Sequence, residues 1–160
     1  RSKVIIEKEL KNTKSLNYAI LRFGTIFGTS IGMRFHTAIN KFCYQAALGK
    51  SLTVWKQNYD QHRPYLGLED AARSVELILE SDIKHRETYN VLTDNYKLSE
   101  IVEYIKEKVP NLDIDFVDTP LLNQHTYFVS FDKIKNLGYK PLSDLKETIA
   151  ETMGLLEKCK

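Results

Sequence analysis

Apolar residues at Ile39, Phe42, Cys43, Ala46 and Ala47 recur at i, i+3, i+4, i+7 and i+8, which predicts a helix with one buried stripe. Gly49 stands where a left-handed cap would end it. The same period returns at Ala71, Val75, Ile78 and Leu79, behind Glu69 and Asp70, acids that suit the first turn of a helix. It returns again at Ile101, Val102, Ile105 and Val109 behind a Ser99 cap, and at Leu145, Ile149, Met153 and Leu156 behind a Ser143 cap. Ser130 caps a short helix that ends at Gly138, and Val4, Ile5 and Leu10 predict a first helix running to residues 12–14. Between these helices, residues 18–23 read as a buried parallel strand, and residues 52–55, 87–92 and 112–117 as further strands, the last half-exposed. Residues 24–32, with Gly24, Gly28 and Gly32, read as a loop, as do residues 56–61 and 119–127, and residues 93–95 as a turn. Strands alternate with helices almost throughout, so the fold class is α/β.

Composition narrows the function more than the fold. The 160 residues fit one domain, and an apolar fraction of 42% argues for a packed core. Two cysteines, Cys43 and Cys159, are too few for a disulfide framework or a thiolate zinc site, and read as reduced thiols of a cytosolic protein. The histidines, His36, His62, His85 and His125, lack metal-ligand spacing. No apolar run approaches a membrane span. No nucleophile elbow, phosphate-cradling lysine loop or dinucleotide fingerprint occurs. The net charge of +2 conceals an asymmetry: residues 1–63 hold 11 basic and three acidic side chains, and the remainder 12 basic and 18 acidic. The cations of the basic part are spread over several elements without a nucleic-acid-binding motif, which argues against a nucleic-acid partner. A small phosphorylated ligand needs only one or two arginines converging on a loop, and Arg34 and Arg63 are available. A helix that opens at the first residue, uncapped, predicts an upstream segment.

Four stretches together resemble the extended short-chain dehydrogenase/reductases that act as NAD-dependent nucleotide-sugar epimerases and dehydratases. Arg1-Ser2-Lys3-Val4-Ile5-Ile6-Glu7 resembles the end of that family's Tyr-x-x-x-Lys helix, with the tyrosine two residues upstream of Arg1. The resemblance makes Lys3 the active-site lysine, lowering the phenol's pKa and holding the nicotinamide ribose. Leu21-Arg22-Phe23-Gly24-Thr25-Ile26-Phe27-Gly28 is similar to the family's Leu-Arg-x-x-Asn-Val-Tyr-Gly, which implies a nicotinamide contact at Gly24 and a substrate contact at Thr25, where the family has Asn. Residues 48–55 and 61–72 look like its Gly-Lys-Pro-Leu-Thr-Ile-Tyr and Gln-x-Arg-Asp-Phe-x-x-Val-x-Asp-Val-Ala. These imply that Thr53 and Trp55 run along the nucleotide base and that Arg63 reaches the diphosphate. Asp70 reads as structural. Residues 130–141 match the family's late Leu-Gly-Tyr-x-Pro segment, whose job is packing.

Departures are as informative. Pro64 replaces an Asp, and the later substrate arginine is missing; Asn123 stands in that loop as a substrate candidate, and Arg34 could supply the absent cation. The implied protein binds NAD and a nucleotide-sugar substrate, with a homodimer possible through the first helix, and with no nucleic acid or membrane partner. Residues 1–35 and 63–95 would complete a Rossmann-like core, residues 36–62 and 96–160 would form mainly a small α/β substrate-binding lobe, and the N-terminal NAD-binding half would lie outside the chain. Two alternatives remain open: a net NAD(P)-dependent reductase of another substrate, or a binding module of the same fold that has lost its chemistry.

Overall fold

The computed structural model describes residues 2–81, 86–118 and 126–158. Its organising feature is a pair of parallel strands that part to admit a third. Strand β1 (Ala19–Phe23), preceded by helix α1 (Ser2–Asn12), pairs in parallel with β5 (Glu87–Val91), Arg22 opposite Asn90 and Phe23 opposite Val91. The Gly24 amide still donates to the Val91 carbonyl at 2.9 Å. One residue later the chain changes partner. Strand β2 (Thr25–Phe27) lies parallel to β4 (His62–Gly67), with Thr25 opposite Tyr65 and Ile26 opposite Leu66. On its other edge β4 runs antiparallel to β6 (Asp94–Lys97).

Strand β4 therefore wedges between the continuations of β1 and β5, and the wedge explains Gly24. A Cβ there would stand 3.0 Å from the Pro64 carbonyl oxygen and 3.2 Å from the Tyr65 carbonyl carbon, both backbone atoms. Two expectations are corrected here. Residues 25–27 are strand rather than loop, and residues 94–97 are strand where a turn over residues 93–95 was expected. Both are short and polar or glycine-flanked, so their extended state is imposed by pairing with β4, which no local pattern announces.

Three helices follow their stripes and two do not; α1 buries no residue, and its Val4 and Ile5 are exposed. In α2 (Ala38–Ala47) all five stripe residues are buried, and Gly49 takes φ +67°. The stripes of α4 (Leu98–Lys108) and α6 (Leu145–Glu157) likewise bury Ile101, Val102 and Ile105, and Leu145, Ile149 and Met153. The caps lie elsewhere than expected. Asp144, not Ser143, caps α6 by accepting the Glu147 amide at 2.8 Å, and Glu100 folds back to accept the Lys97 amide at the start of α4 at 2.7 Å. Helix α3 (Leu68–Glu80) departs in another way: it buries Asp70, Ala71 and Ser74 and leaves Leu79 79% exposed.

The buried face of α3 carries polar residues because it carries a hydrogen-bonded knot. The wholly buried Asp70 carboxylate accepts the Thr93 hydroxyl at 2.6 Å, the Leu142 amide at 2.8 Å and the Ser143 amide at 3.2 Å. Thr93 in turn accepts the Gly67 amide at 2.8 Å. Gly67 has no room for a side chain, since a Cβ would lie 2.1 Å from Ser143 Oγ. Asp70 is structural, as its sequence context suggested, though through this knot as well as its first-turn position.

Two apolar clusters flank the wedge. The larger joins α2, α4 and α6 to β3 (Leu52–Trp55), which pairs in parallel with β7 (Ile114–Val117). Its fully buried members, such as Ile101 and Ile105, would each cost about 2–5 kcal/mol on truncation to alanine. The smaller cluster packs Leu66, Tyr89 and Val91 against Phe131, Ile134 and Tyr139, around the short helix α5 (Asp132–Lys135).

Candidate functional site

The parting of β1 from β5 opens a crevice at the carboxyl end of parallel strands, where α/β folds place ligands. Two cavities adjoin there. One, of about 400 Å³, has Trp55, Phe42 and Tyr65 as apolar walls and Arg63 and Lys41 as cations, with Thr53 beside them. The other, of about 480 Å³, is walled by the segment from Gly28 to His36, including Ser30 and Arg34. Thr25, His36 and Thr37 border both. Among the described residues, neither cavity has a carboxylate in its lining.

Local structure aims each of these groups. Arg63 is the second residue of β4 and is held on several sides: Nη1 donates to the His62 carbonyl at 2.9 Å, Nη2 to Gln61 Oε1 at 2.7 Å, and the guanidinium carbon lies 4.9 Å from the Tyr127 ring centre. A guanidinium fixed in its plane offers a directed fork, which suits an anion with paired oxygens. Tyr127 itself belongs to a segment tied across the sheet by Asn95, whose amide donates to the Val129 carbonyl and accepts the Val129 amide at 3.1 and 3.0 Å. Thr53 sits on β3, its hydroxyl accepting from Gln45 Nε2 and its carbonyl from Lys41 Nζ, each at 3.4 Å. Burial pushes the Tyr65 phenol up to about 12, so it lines the cavity as a neutral group.

The second cavity is built from a turn and an anchor. The Met33 amide donates to the Ser30 carbonyl at 3.1 Å, and the Phe35 ring stacks on Tyr44 of α2 with centroids 4.6 Å apart. Arg34 and His36 flank that anchored ring. Gly28, at φ +112°, turns the chain into this segment, and its amide donates to the buried Asn40 carboxamide at 3.3 Å. Thr37 precedes α2, yet its hydroxyl makes no cap bond to the helix and is buried without a hydrogen-bond partner.

Of the residues singled out from sequence, Thr25, Thr53, Trp55 and Arg63 line one cavity together, and Arg34 lines its neighbour with Thr25. Asn123 lies outside the described residues. Lys3 and Gly24 line neither cavity; Lys3 is exposed on α1. An ion pair nevertheless joins α1, which carries Lys3, to β1, which leads into Gly24. Glu7, one helical turn from Lys3, accepts both Arg22 Nε at 2.9 Å and Arg22 Nη2 at 2.5 Å, and Arg22 stands two residues before Gly24. The Arg22 bond holds the Glu7 carboxyl below its ordinary value. Sequence reasoning missed His36, Thr37, Lys41 and Tyr65. Lys41 reads as a solvated helix position, and only its place four residues after Thr37 would have hinted that both face the loop.

A ligand can thus pass from an aromatic and cationic cavity, past Thr25, into a second cavity lined by hydroxyls and cations. Solved structures share this architecture at low identity. A UDP-glucose 4-epimerase from Thermotoga maritima in complex with UDP-glucose superposes with a TM-score of 0.85 at 18% identity, covering 98% of this chain and 52% of that one. A UDP-glucuronic acid 4-epimerase from Bacillus cereus, in complex with UDP-glucuronic acid and NAD, gives 0.84 at 16% identity, covering 98% and 50%. A chloroplastic UDP-sulfoquinovose synthase from Spinacia oleracea is 33% identical over 121 residues, 69% of this chain and 25% of that protein. A UDP-sulfoquinovose synthase from Sulfolobus acidocaldarius is 29% identical over 121 residues, 71% of this chain and 30% of that protein. The chain spans about a quarter to a third of these curated relatives and about half of those solved structures. Residues 1–91 match the model of the NAD dependent epimerase/dehydratase family, and the chain belongs to that family.

Proposed function

We propose that the full-length protein containing these residues is an NAD-dependent enzyme that epimerises or dehydrates a uridine-diphosphate sugar. The observation that carries the reading is the pair of adjoining cavities, with no carboxylate among their described lining residues and with Arg63 fixed in the wall of one, in a chain of this family. The named relatives, each a UDP-sugar enzyme, support the choice of nucleotide. In this reading Trp55 and Thr53 flank the base, Arg63 and Lys41 bind the diphosphate, and Thr25 holds the sugar where the two cavities meet. Charge-assisted bonds from a guanidinium to a diphosphate are the strong ones available at such a site.

NAD, when bound, supplies an acceptor that takes a hydride from the sugar and returns it, so that the net result is isomerisation or dehydration. The chain's own residues fit the nicotinamide end alone. Gly24 stands where β1 and β5 part, its amide bonded to the Val91 carbonyl, and Lys3 offers an ammonium on α1, which the Glu7–Arg22 pair joins to β1, while no pyrophosphate-binding glycine loop occurs in the sequence. Lys3 would hold the ribose and favour the ionised form of a phenol placed one helical turn away, outside these residues. The division into a Rossmann-like part and a substrate lobe belongs to the same proposal; the larger cluster gathers most of the lobe, while Phe131, Ile134 and Tyr139 pack with the strands of the Rossmann-like part. The test is steady-state kinetics of the full-length protein with UDP-glucose and related sugars. Arg63→Ala is expected to raise KM tenfold or more, about 1.4 kcal/mol, and unchanged kinetics would remove Arg63 from the diphosphate. Net growth of reduced-nicotinamide absorbance during turnover would favour a dehydrogenase or reductase over an epimerase.

A further inference from the structure

We propose that Asn95, which lines neither cavity, is a positioning residue for the diphosphate site: it pins a strap, residues 126–130, that lays the Tyr127 ring against the Arg63 guanidinium. The inference rests on the nucleotide-sugar reading and adds a residue that acts on the diphosphate through another.

The strap is neither helix nor strand, yet each of its residues is fastened to one. The Thr126 hydroxyl accepts the His62 amide at 3.1 Å, and the Phe128 ring packs on the His62 imidazole with centroids 4.5 Å apart. The Ser130 carbonyl accepts the Asn90 carboxamide at 2.9 Å. Val129 exchanges both of its backbone bonds with the Asn95 side chain, at 3.1 and 3.0 Å. A carboxamide carries a donor and an acceptor side by side, as a peptide group does, so Asn95 serves Val129 in place of a neighbouring strand. A carboxylate there could only accept, and an alanine could do neither. The residue is only 9% exposed, which shields the paired bonds from water.

These ties decide where Tyr127 lies. Its side chain is 51% exposed, so core packing does not hold it; its neighbours along the strap do. Thr126 and Phe128 grip His62 on either side of it, and Val129 is tied to Asn95 just beyond. In the β4–β6 pair Pro64 faces Asn95 and Arg63 faces Tyr96, so the anchor stands one rung from the arginine. The ring centre is 4.9 Å from the guanidinium carbon, within range of a cation–π contact. A ring against one face of a guanidinium holds its plane, and forked recognition of a phosphate depends on that plane.

Calorimetric titration of the full-length protein with UDP tests this. Asn95→Ala is expected to weaken UDP fivefold or more. Tyr127→Leu, which leaves the Asn95–Val129 pair in place, should weaken UDP by a similar factor, and Tyr127→Phe should restore binding to within twofold of wild type. The readout that a merely structural role would not move is the Arg63→Lys background, which keeps the charge and loses the planar fork. There Asn95→Ala should cost less than twofold. Wild-type affinity for UDP in Asn95→Ala would overturn the inference and leave the nucleotide-sugar reading intact, as would a loss undiminished in the Arg63→Lys background. If Asn95→Ala does not fold, Tyr127→Leu decides: a fivefold loss supports the inference, and unchanged affinity overturns it. A wild-type protein that does not bind UDP would overturn both readings.

Discussion

The cationic cavities have a counterpart of opposite sign on the far side of the same wall. Gly28 and Leu68 border both the cavity of Arg34 and a groove of about 400 Å³ lined by Glu69, Asp144, Glu147 and Glu151, with no lysine or arginine among its described lining residues. The two spaces are similar in size and differ in how their charges are used. On the acidic side, Asp144 caps α6 and Glu69 pairs with Arg73 at 2.9 Å, so two of the four carboxylates already serve the fold. On the cationic side, Arg63 donates to the His62 carbonyl and the Gln61 carboxamide, and Lys41 to the Thr53 carbonyl, so these bonds orient the two cations along the cavity wall. The lesson is that the sequence asymmetry, an excess of eight positive charges up to Arg63 and a deficit of six after it, is also a spatial one. A net charge of +2 averages it away.

The largest effect should come from the wall between the two spaces. Asp70→Ala removes the acceptor of three donors, and at about 1–3 kcal/mol per buried group left unsatisfied it should cost about 3 kcal/mol or more by denaturant unfolding. Next comes the contrast itself. Arg63→Ala should raise KM for the nucleotide sugar tenfold or more, whereas Glu151→Ala, a charge removed from the other space, should change it less than twofold. Parallel losses in both variants would erase the distinction between the two sides.

Smaller effects probe the floor of the cationic cavity. Cys43 lies inside α2, and burial pushes its thiol up to about 12. It should therefore resist a thiol reagent at pH 8 in the folded protein and react on unfolding. The sign of the linkage follows. Burial of the neutral thiol contributes stability that is present below its ordinary value of 9.0 and lost as pH rises toward 12, and the phenols of the buried Tyr65 and the half-buried Tyr96 act alike from 10.0 upward. The smallest effect lies outside both spaces, at the exposed Glu7–Arg22 fork. Its lowered carboxyl makes a contribution present above the ordinary 4.5 and lost as pH falls below it. A Glu7→Gln variant should melt lower than wild type at pH 7 and together with it at pH 3.

How much of this could be read beforehand depended on whether each residue answers to its neighbours in sequence or in space. Helices α2, α4 and α6 were legible because their stripes all enter one apolar cluster. Helix α3 misled because its inner face holds Asp70 and Ser74, which hydrogen bonds rather than apolar contacts keep buried, while Val75 and Leu79 face outward. Strand β2 was hidden in a glycine-rich stretch, and β4 behind Pro64, because their pairing with each other is what makes them strands. In the site, Arg63, Thr53, Trp55 and Thr25 were found through their motif resemblance. Thr37 and Lys41 were not, because a threonine before a helix reads as a cap and a lysine on it as surface; the cavity alone reveals them.

The most direct measurement is hydrogen–deuterium exchange of the full-length protein with and without UDP-glucose, read peptide by peptide. Protection is expected at residues 34–41, 53–55 and 61–65, and none at residues 143–151. Protection of residues 143–151 with the other three segments unchanged would contradict the placement of the substrate in the cationic cavities.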